Sequence, residues 1–192
     1  GFVAGAFTPR GVTTINLDYD LCPKVTLDDI VAEIIEGVDW IARNCAARGG
    51  NPDRLYIAGH SAGAHLAAMV LATDWAARGL PEDLIKGATL MSGIYDPEPA
   101  RHISVNNDLH LTEEMAARCN ALATTLTTDC PILTTVGGVE PEGWIDQSRQ
   151  YQEKFGGDLI ISPNDGHLGL LQTHCDGKSD LFKAQLSQMG IS

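Results

Sequence analysis

Residues 54–69 read RLYIAGHSAGAHLAAM, which is a short apolar run, a Gly-x-Ser-x-Gly turn and a run of helix-forming residues. This order is typical of a strand that turns sharply into a helix and exposes a serine, here Ser61, at the turn. Gly59 and Gly63 are predicted to stand where side chains would collide as the helix folds back over the strand. The N–H of Ala62 would then point at the oxygen of a carbonyl that the serine attacks. The stretch therefore predicts a nucleophile elbow with one donor of an oxyanion hole.

The composition is that of a single globular domain over residues 1–192. Apolar residues make up 44% of the chain and charged residues 20%, which excludes disordered and fibrous proteins. The 13 basic and 25 acidic residues give a net charge of -12, which would repel nucleic acid and anionic lipid. No apolar run reaches the length of a membrane span, and no signal peptide opens the sequence. We therefore expect a small-molecule partner, with no nucleic acid and no membrane.

The cysteine pattern points to a reducing compartment. An odd number of cysteines is scattered without a Cys-x-x-Cys pair, at Cys22, Cys45, Cys119, Cys130 and Cys175. Such spacing favours free thiols over disulfides, zinc sites or redox exchange. We therefore predict a cytoplasmic protein without a metal site.

Predicted strands and helices alternate along the chain. Apolar residues at steps of three and four predict a long helix that follows Thr26, its N-cap, and ends at Gly49. A central helix follows the elbow from Ala62 to about Arg78. Apolar and β-branched runs predict further strands at residues 12–17, 87–94, 132–136 and 159–162. The alternation predicts an α/β fold with a mostly parallel sheet and helices on both faces.

One connection is longer than the rest. Residues 95–130 carry no strand pattern; Pro97 and Pro99 indicate loop, and Thr112 is placed to cap a short helix. A connection of that length inside a compact domain is usually functional. We predict that residues 95–130 form a cap-like insertion over the site.

Three reactive side chains are predicted to follow strands of the sheet: Ser61, Glu140 and His167. Loops that follow parallel strands emerge at one edge, so we expect these side chains to meet there. Their order in the chain is nucleophile, acid, histidine, as in one group of serine hydrolases. His167 would take the proton of Ser61 and return it to the leaving group, while Glu140 would hold the other ring nitrogen. The pattern predicts hydrolysis through an acyl-enzyme.

Other residues could fill the two supporting roles. Asp96, after the preceding strand, is the main alternative to Glu140, whereas Asp146 is disfavoured because it lies within a predicted helix. His174 is the alternative to His167, which is favoured by its place just after the last predicted strand. The remaining histidines are assigned to packing, supporting or surface positions: His60, His65, His102 and His110.

Four stretches carry a resemblance to a known family: residues 19–23 (YDLCP), 59–66 (GHSAGAHL), 92–96 (SGIYD), and Glu140 followed by Trp144 and Gln147-Ser148. Together they are similar to α/β-hydrolases, and within that fold to the kynurenine formamidase (arylformamidase) group. The resemblance implies hydrolysis of the formyl amide of N-formylkynurenine, a step of tryptophan catabolism, through a formyl-enzyme at Ser61. It also implies that no metal or organic cofactor takes part.

The sequence departs from that group in one respect. Members carry a His-Gly-Gly-x-Trp stretch whose amides complete the oxyanion hole, and this sequence has none. The strand leading into that stretch is an interior one in the group, so we expect an N-terminally truncated domain with a gap in its sheet. Because losing one oxyanion donor costs about 100 to 1000-fold in turnover, we predict that this chain alone is weakly active or inactive.

Two other functions remain open on the sequence. A general carboxylesterase acting on small acyl esters would use the same three side chains. A non-catalytic hydrolase-like binding module would account for the missing oxyanion stretch. The sequence does not fix the oligomeric state and leaves a homodimer open.

Overall fold

Four parallel strands form one sheet in the order β1-β2-β3-β4. The structure, a computed structural model, describes residues 2–191. The strands are β1 (Leu55–His60), β2 (Ile85–Met91), β3 (Ile132–Gly137) and β4 (Asp158–Ser162). Each strand pairs in parallel with the next one in the chain, so their C-terminal ends share one edge of the sheet. The predicted α/β architecture with a parallel sheet is therefore confirmed.

Helices flank this sheet. They are α1 (Phe2–Phe7), α2 (Leu27–Asn44), α3 (Ala62–Leu71), α4 (Asn106–Leu109), α5 (Glu113–Arg118), α6 (Glu142–Phe155), α7 (Gly169–Cys175) and α8 (Asp180–Gln188). The longest, α2, begins as predicted: the Thr26 side chain accepts from the N–H of Asp29, whose carboxylate accepts from the N–H of Thr26. This reciprocal capping box satisfies two backbone donors that a helix start otherwise leaves unpaired.

The core lies on both faces of the sheet because successive side chains of a strand point to opposite sides. Leu90 of β2 belongs to a large cluster with buried residues of α2, α3 and α6. Its neighbour Met91 belongs to a second cluster with Leu170 of α7 and Leu181 of α8. The helices therefore divide between the two faces, with α3 packed against β1 and β2 directly behind the elbow.

The strand predicted at residues 12–17 is not formed. These residues have no regular secondary structure, and a cleft of about 240 Å³ lies between them and β1. A strand needs a neighbouring backbone to pair with, and here the nearest one stands across the cleft. The resemblance predicted a gap in the sheet. The cleft between residues 12–17 and β1 lies beside the first strand of the sheet.

The helix after the elbow is shorter than predicted. It ends at Leu71 instead of Arg78. The Thr127 N–H donates to the Leu71 oxygen over 3.2 Å, and the Thr127 hydroxyl donates to the Thr73 oxygen over 2.6 Å. A distant residue therefore bonds carbonyl oxygens at and just beyond the end of this helix, and local propensity does not reveal such a contact.

The long connection at residues 95–130 is made of short helices. It contains α4, α5 and two single-turn segments, Glu98–His102 and Ala121–Ala123, and no strand. An ion pair between Arg118 and Asp28, 2.7 Å apart, ties it to the start of α2. Tyr95, fully buried at its beginning, stacks on Tyr151 of α6 with ring centroids 4.2 Å apart.

Across residues 2–191, every helix is too short or too polar to traverse a lipid bilayer.

The C-terminal helices bury a histidine whose titration is coupled to folding. His174 of α7 is 2% exposed, packs on Phe7, and has its pKa lowered by burial to about 4. Its neutral form is favoured in the folded chain, whereas the unfolded chain protonates it near pH 6.5. The stabilisation that the folded chain gains from neutral His174 is therefore fully present above about pH 6.5. The free energy of unfolding then decreases as the pH falls from 6.5 to 4, and below pH 4 this stabilisation is lost.

We expect this single group to account for about 3 kcal/mol of acid destabilisation between pH 6.5 and 4. Replacing it, as His174→Phe, should flatten the pH dependence of the free energy of unfolding by about that amount, as measured by urea titration at pH 7 and pH 4.5. The matched control is His110→Asn, at an exposed histidine whose positive φ asparagine also tolerates, and it should change the pH dependence far less than His174→Phe. Equal pH dependence in wild type and His174→Phe would contradict the expectation.

Candidate active site

Ser61 occupies a strained turn between β1 and α3. Its backbone has φ 57° and ψ −119°, a region that residues with a side chain rarely adopt. The Ser61 N–H donates to the Met91 oxygen at the end of β2 over 2.8 Å, which anchors the turn to the neighbouring strand. The geometry is that of the predicted elbow, with the serine at the C-terminal edge of the sheet.

The two glycines of the elbow have different roles. A Cβ built on Gly59 would lie 2.0 Å from the Gly63 carbonyl oxygen, so only glycine fits. A Cβ on Gly63 would meet nothing within 4 Å. The collision predicted at Gly63 is therefore wrong: its backbone is the obstacle, and its own side-chain position is open.

Glu140 and His167 form a pair at the same edge. The His167 Nδ1 lies 2.7 Å from the Glu140 Oε2, and the Glu140 side chain is 1% exposed. The other carboxylate oxygen, Oε1, accepts from the Ser92 hydroxyl over 2.5 Å and from the Gly137 N–H over 2.8 Å. One oxygen is thus held by the sheet while the other faces the imidazole, which fixes the Nδ1–H tautomer.

The alternative residues lie elsewhere. The Asp96 Oδ1 accepts from the N–H of Glu98 over 3.0 Å, as part of a local turn. Asp146 pairs with Arg149, and His174 is buried on α7. Among the hydrogen bonds within residues 2–191, Glu140 is the only carboxylate bonded to the His167 ring.

Two aromatic rings contact the His167 imidazole. The His60 ring centroid is 4.4 Å away with the planes tilted by 47°, and the Trp144 ring centroid is 4.5 Å away with a tilt of 55°. In addition, the His60 Nε2 lies 2.7 Å from the main-chain oxygen of His167. His60 directly precedes Ser61, so this contact brings the histidine loop against the elbow.

Ser92 is a member of the site that the sequence analysis missed. It directly follows β2, is fully buried and has φ 47°, and its hydroxyl donates to Glu140. At the next position, a Cβ on Gly93 would lie 2.4 Å from the ring of Tyr95. The available signal is the Ser-Gly-Ile-Tyr-Asp stretch, in which the resemblance assigns the serine no role.

A cavity of about 290 Å³ opens beside the elbow. Ala62 and His65 line it together with apolar side chains from the loop 19–22, from α2 and from the long connection, including Leu21 and Leu111. His65 is 4% exposed, its Nδ1 lies 2.8 Å from the Ile94 oxygen, and burial lowers its pKa. The cavity adjoins the proposed oxyanion donor, and residues of the 95–130 segment form part of its wall.

The part of the chain that the structure describes contains no group of three or more His, Cys, Asp or Glu side chains that could hold a metal ion. The five cysteines are free. The chemistry available at this edge is therefore that of a hydroxyl, an imidazole and a buried carboxylate, with backbone N–H groups at the start of α3.

The Glu140–His167 pair allows a direct test of which carboxylate orients the His167 imidazole. We expect Glu140→Gln to lower kcat by about 100 to 10,000-fold, because an amide N–H₂ facing His167 favours the wrong tautomer. The matched control is Asp96→Asn, which should keep kcat within about threefold of wild type, since its oxygen can still accept from Glu98. Steady-state kinetics on both variants checks the assignment. A larger loss in Asp96→Asn than in Glu140→Gln would reverse it.

Comparison with known proteins shows the family of the chain. Residues 6–141 match the family model of the alpha/beta hydrolase fold. The whole chain aligns with kynurenine formamidases from Salmo salar (34% identity) and Danio rerio (32% identity), and spans 67% of each relative's length. A crystal structure of a candidate thioesterase from Silicibacter sp. superposes with a TM-score of 0.73 at 26% identity, covering 86% of this chain and 61% of that one. The chain therefore belongs to the α/β-hydrolase family, and along its whole length it is similar to kynurenine formamidases.

Proposed function

We propose that this edge of the sheet hydrolyses a small acyl amide, with N-formylkynurenine as the substrate, through an acyl-enzyme at Ser61. The observation that carries the proposal is the buried Glu140–His167 pair beside the strained serine turn. Full-length similarity to kynurenine formamidases supports the choice of a formyl amide as the substrate class.

The first half of the reaction follows from the contacts. His167, with its Nδ1–H held by Glu140, has its Nε2 lone pair free to take the proton of the Ser61 hydroxyl as the oxygen attacks the formyl carbon. The negative charge that develops on the carbonyl oxygen faces the N–H of Ala62 in the first turn of α3, where helix N–H groups lack an intrahelical acceptor. The C–N bond then breaks, and His167 donates its proton to the departing amine.

The second half regenerates the serine. Water enters, His167 takes one of its protons, and the resulting hydroxide attacks the formyl ester of Ser61. The ester bond breaks, formate leaves and His167 returns the proton to the Ser61 oxygen. Glu140 stabilises the imidazolium in both halves and stays ionised. The apolar cavity of about 290 Å³ beside Ala62 is large enough to receive the leaving group rather than the much smaller formyl group.

The experiment that tests this proposal compares two substrates. The specificity constant kcat/KM is measured for N-formylkynurenine and for p-nitrophenyl acetate on the same preparation. A preference for the formyl amide supports the proposal, and a strong preference for the ester would assign the site to a general carboxylesterase. Labelling of Ser61 by a fluorophosphonate separates both from a binding module, because an unreactive serine in a folded chain would favour the binding module.

The expected rate is low. The sequence holds no counterpart of the His-Gly-Gly-x-Trp stretch, and the chain spans about two thirds of the length of the formamidases it matches. With Ala62 as the one oxyanion donor, we expect turnover about 100 to 1000-fold below that of a complete site.

We further propose a small-molecule substrate as the partner and the cytoplasm as the location, where free cysteines are the common state.

A further inference from the structure

His60 links the nucleophile to the base. It is the last residue of β1 and directly precedes Ser61, and its Nε2 lies 2.7 Å from the main-chain oxygen of His167. A carbonyl oxygen only accepts hydrogen bonds, so the Nε2 of His60 must carry the proton and donate. The contact therefore fixes the tautomer of His60 as well as the position of the His167 backbone.

The loop that carries His167 needs such a contact. It runs from β4 to α7 over the edge of the sheet, and Leu168, next to the histidine, is 73% exposed. The loop's other end is held by Asp165, whose carboxylate accepts from Ser162 and from Thr173. Those bonds hold the loop to β4 and α7, whereas among the hydrogen bonds of residues 2–191 the one from His60 joins the loop to β1 and the elbow.

Two neighbouring rings also restrain the side chain of His167. The His60 ring packs against the imidazole at 4.4 Å between centroids, and Trp144 packs at 4.5 Å. Burial lowers the pKa of His60, which keeps its ring neutral. A neutral ring can lie against the imidazolium that forms during catalysis without like-charge repulsion.

We propose that His60 is a positioning residue that sets the approach of the His167 imidazole to the Ser61 hydroxyl. It does so through its Nε2–H bond to the His167 carbonyl and through its ring contact. The inference rests on the proposed function of Ser61 and His167. His60 takes no part in proton transfer, since its Nε2 is engaged with the backbone.

Two variants separate the bond from the ring. His60→Phe keeps an aromatic ring and loses the donor, whereas His60→Gln places an amide N–H₂ near the position of Nε2 and loses the ring. We expect His60→Phe to lower kcat by about 10 to 100-fold with KM within twofold of wild type, because a misplaced base affects the chemical step more than binding. His60→Gln should recover most of that loss. Unchanged kcat in His60→Phe, or an equal loss in both variants, would overturn the role of the bond.

A measurement on the unmodified chain keeps the inference testable if either variant fails to fold. With ¹⁵N-labelled histidine, the ring nitrogens of His60 should show the Nε2–H tautomer at neutral pH. An Nδ1–H tautomer would contradict the inference. This readout needs no turnover. A folded chain whose Ser61 does not react with a fluorophosphonate but whose His60 shows the Nε2–H tautomer would refute the proposed function and leave the position of His60 supported.

Discussion

Turnover is expected to vanish when Ser61 is replaced by alanine. The change removes the atom that attacks the carbonyl and leaves His167 with no hydroxyl to deprotonate. In serine hydrolases, loss of the nucleophile lowers kcat by about 10⁶-fold, and we expect a fall of at least about 10⁴-fold here because the starting rate is lower. Initial rates on N-formylkynurenine and labelling by a fluorophosphonate both measure the effect.

The control for this prediction is Ser104→Ala, the same chemical change at an exposed serine of the 95–130 segment. It should keep the wild-type rate and the wild-type labelling. Thermal unfolding should show that Ser61→Ala is folded, since the hydroxyl accepts no capping bond from α3. Activity of Ser61→Ala within tenfold of wild type would mean that another residue is the nucleophile.

The largest effect on stability is expected from Gly59→Ala. The added methyl group would lie 2.0 Å from the Gly63 oxygen, 2.3 Å from the Gly63 carbonyl carbon and 2.6 Å from the Ala64 nitrogen. All three are backbone atoms of the elbow and α3, so no side chain can rotate out of the way. The helix must move off the strand, and we expect a loss of about 4 kcal/mol or more, which is comparable with the whole stability of many domains.

The same motif supplies a matched control. Gly63→Ala adds the same methyl group four residues later, where nothing lies within 4 Å. Because alanine is favoured over glycine in a helix by about 1 kcal/mol, this variant should be as stable as wild type or more so. Urea unfolding followed by circular dichroism compares the two variants. A free energy of unfolding for Gly59→Ala within about 1 kcal/mol of wild type would contradict the steric account.

The elbow could be predicted from sequence because its signal is local. A serine between two glycines, after an apolar run and before helix formers, has few other structural readings. The order of Ser61, Glu140 and His167, each after a predicted strand, predicted that the three side chains lie at one edge of a parallel sheet. The structure places Glu140 on the His167 ring, as that order predicted.

The remaining features depend on contacts between residues far apart in the chain. The run at 12–17 has the composition of a strand but lies across a cleft from β1, and pairing requires a partner that composition does not encode. Thr127 donates to carbonyl oxygens at and just after the end of α3, and the bond from Ser92 to Glu140 joins residues 48 positions apart. The contact from His60 to His167 spans 107 positions. No local sequence pattern predicts such pairs.

Left-handed backbone at residues with side chains is concentrated where the chemistry is proposed. Within residues 2–191, three non-glycine residues have positive φ, and two of them, Ser61 and Ser92, belong to the site. The folded state tolerates this strain only because the surrounding sheet holds it in place. Selection for higher thermal stability would be expected to act first on substitutions that relieve the backbone strain at these two positions. Such substitutions would lower turnover, so thermal stability and catalysis are opposed at Ser61 and Ser92.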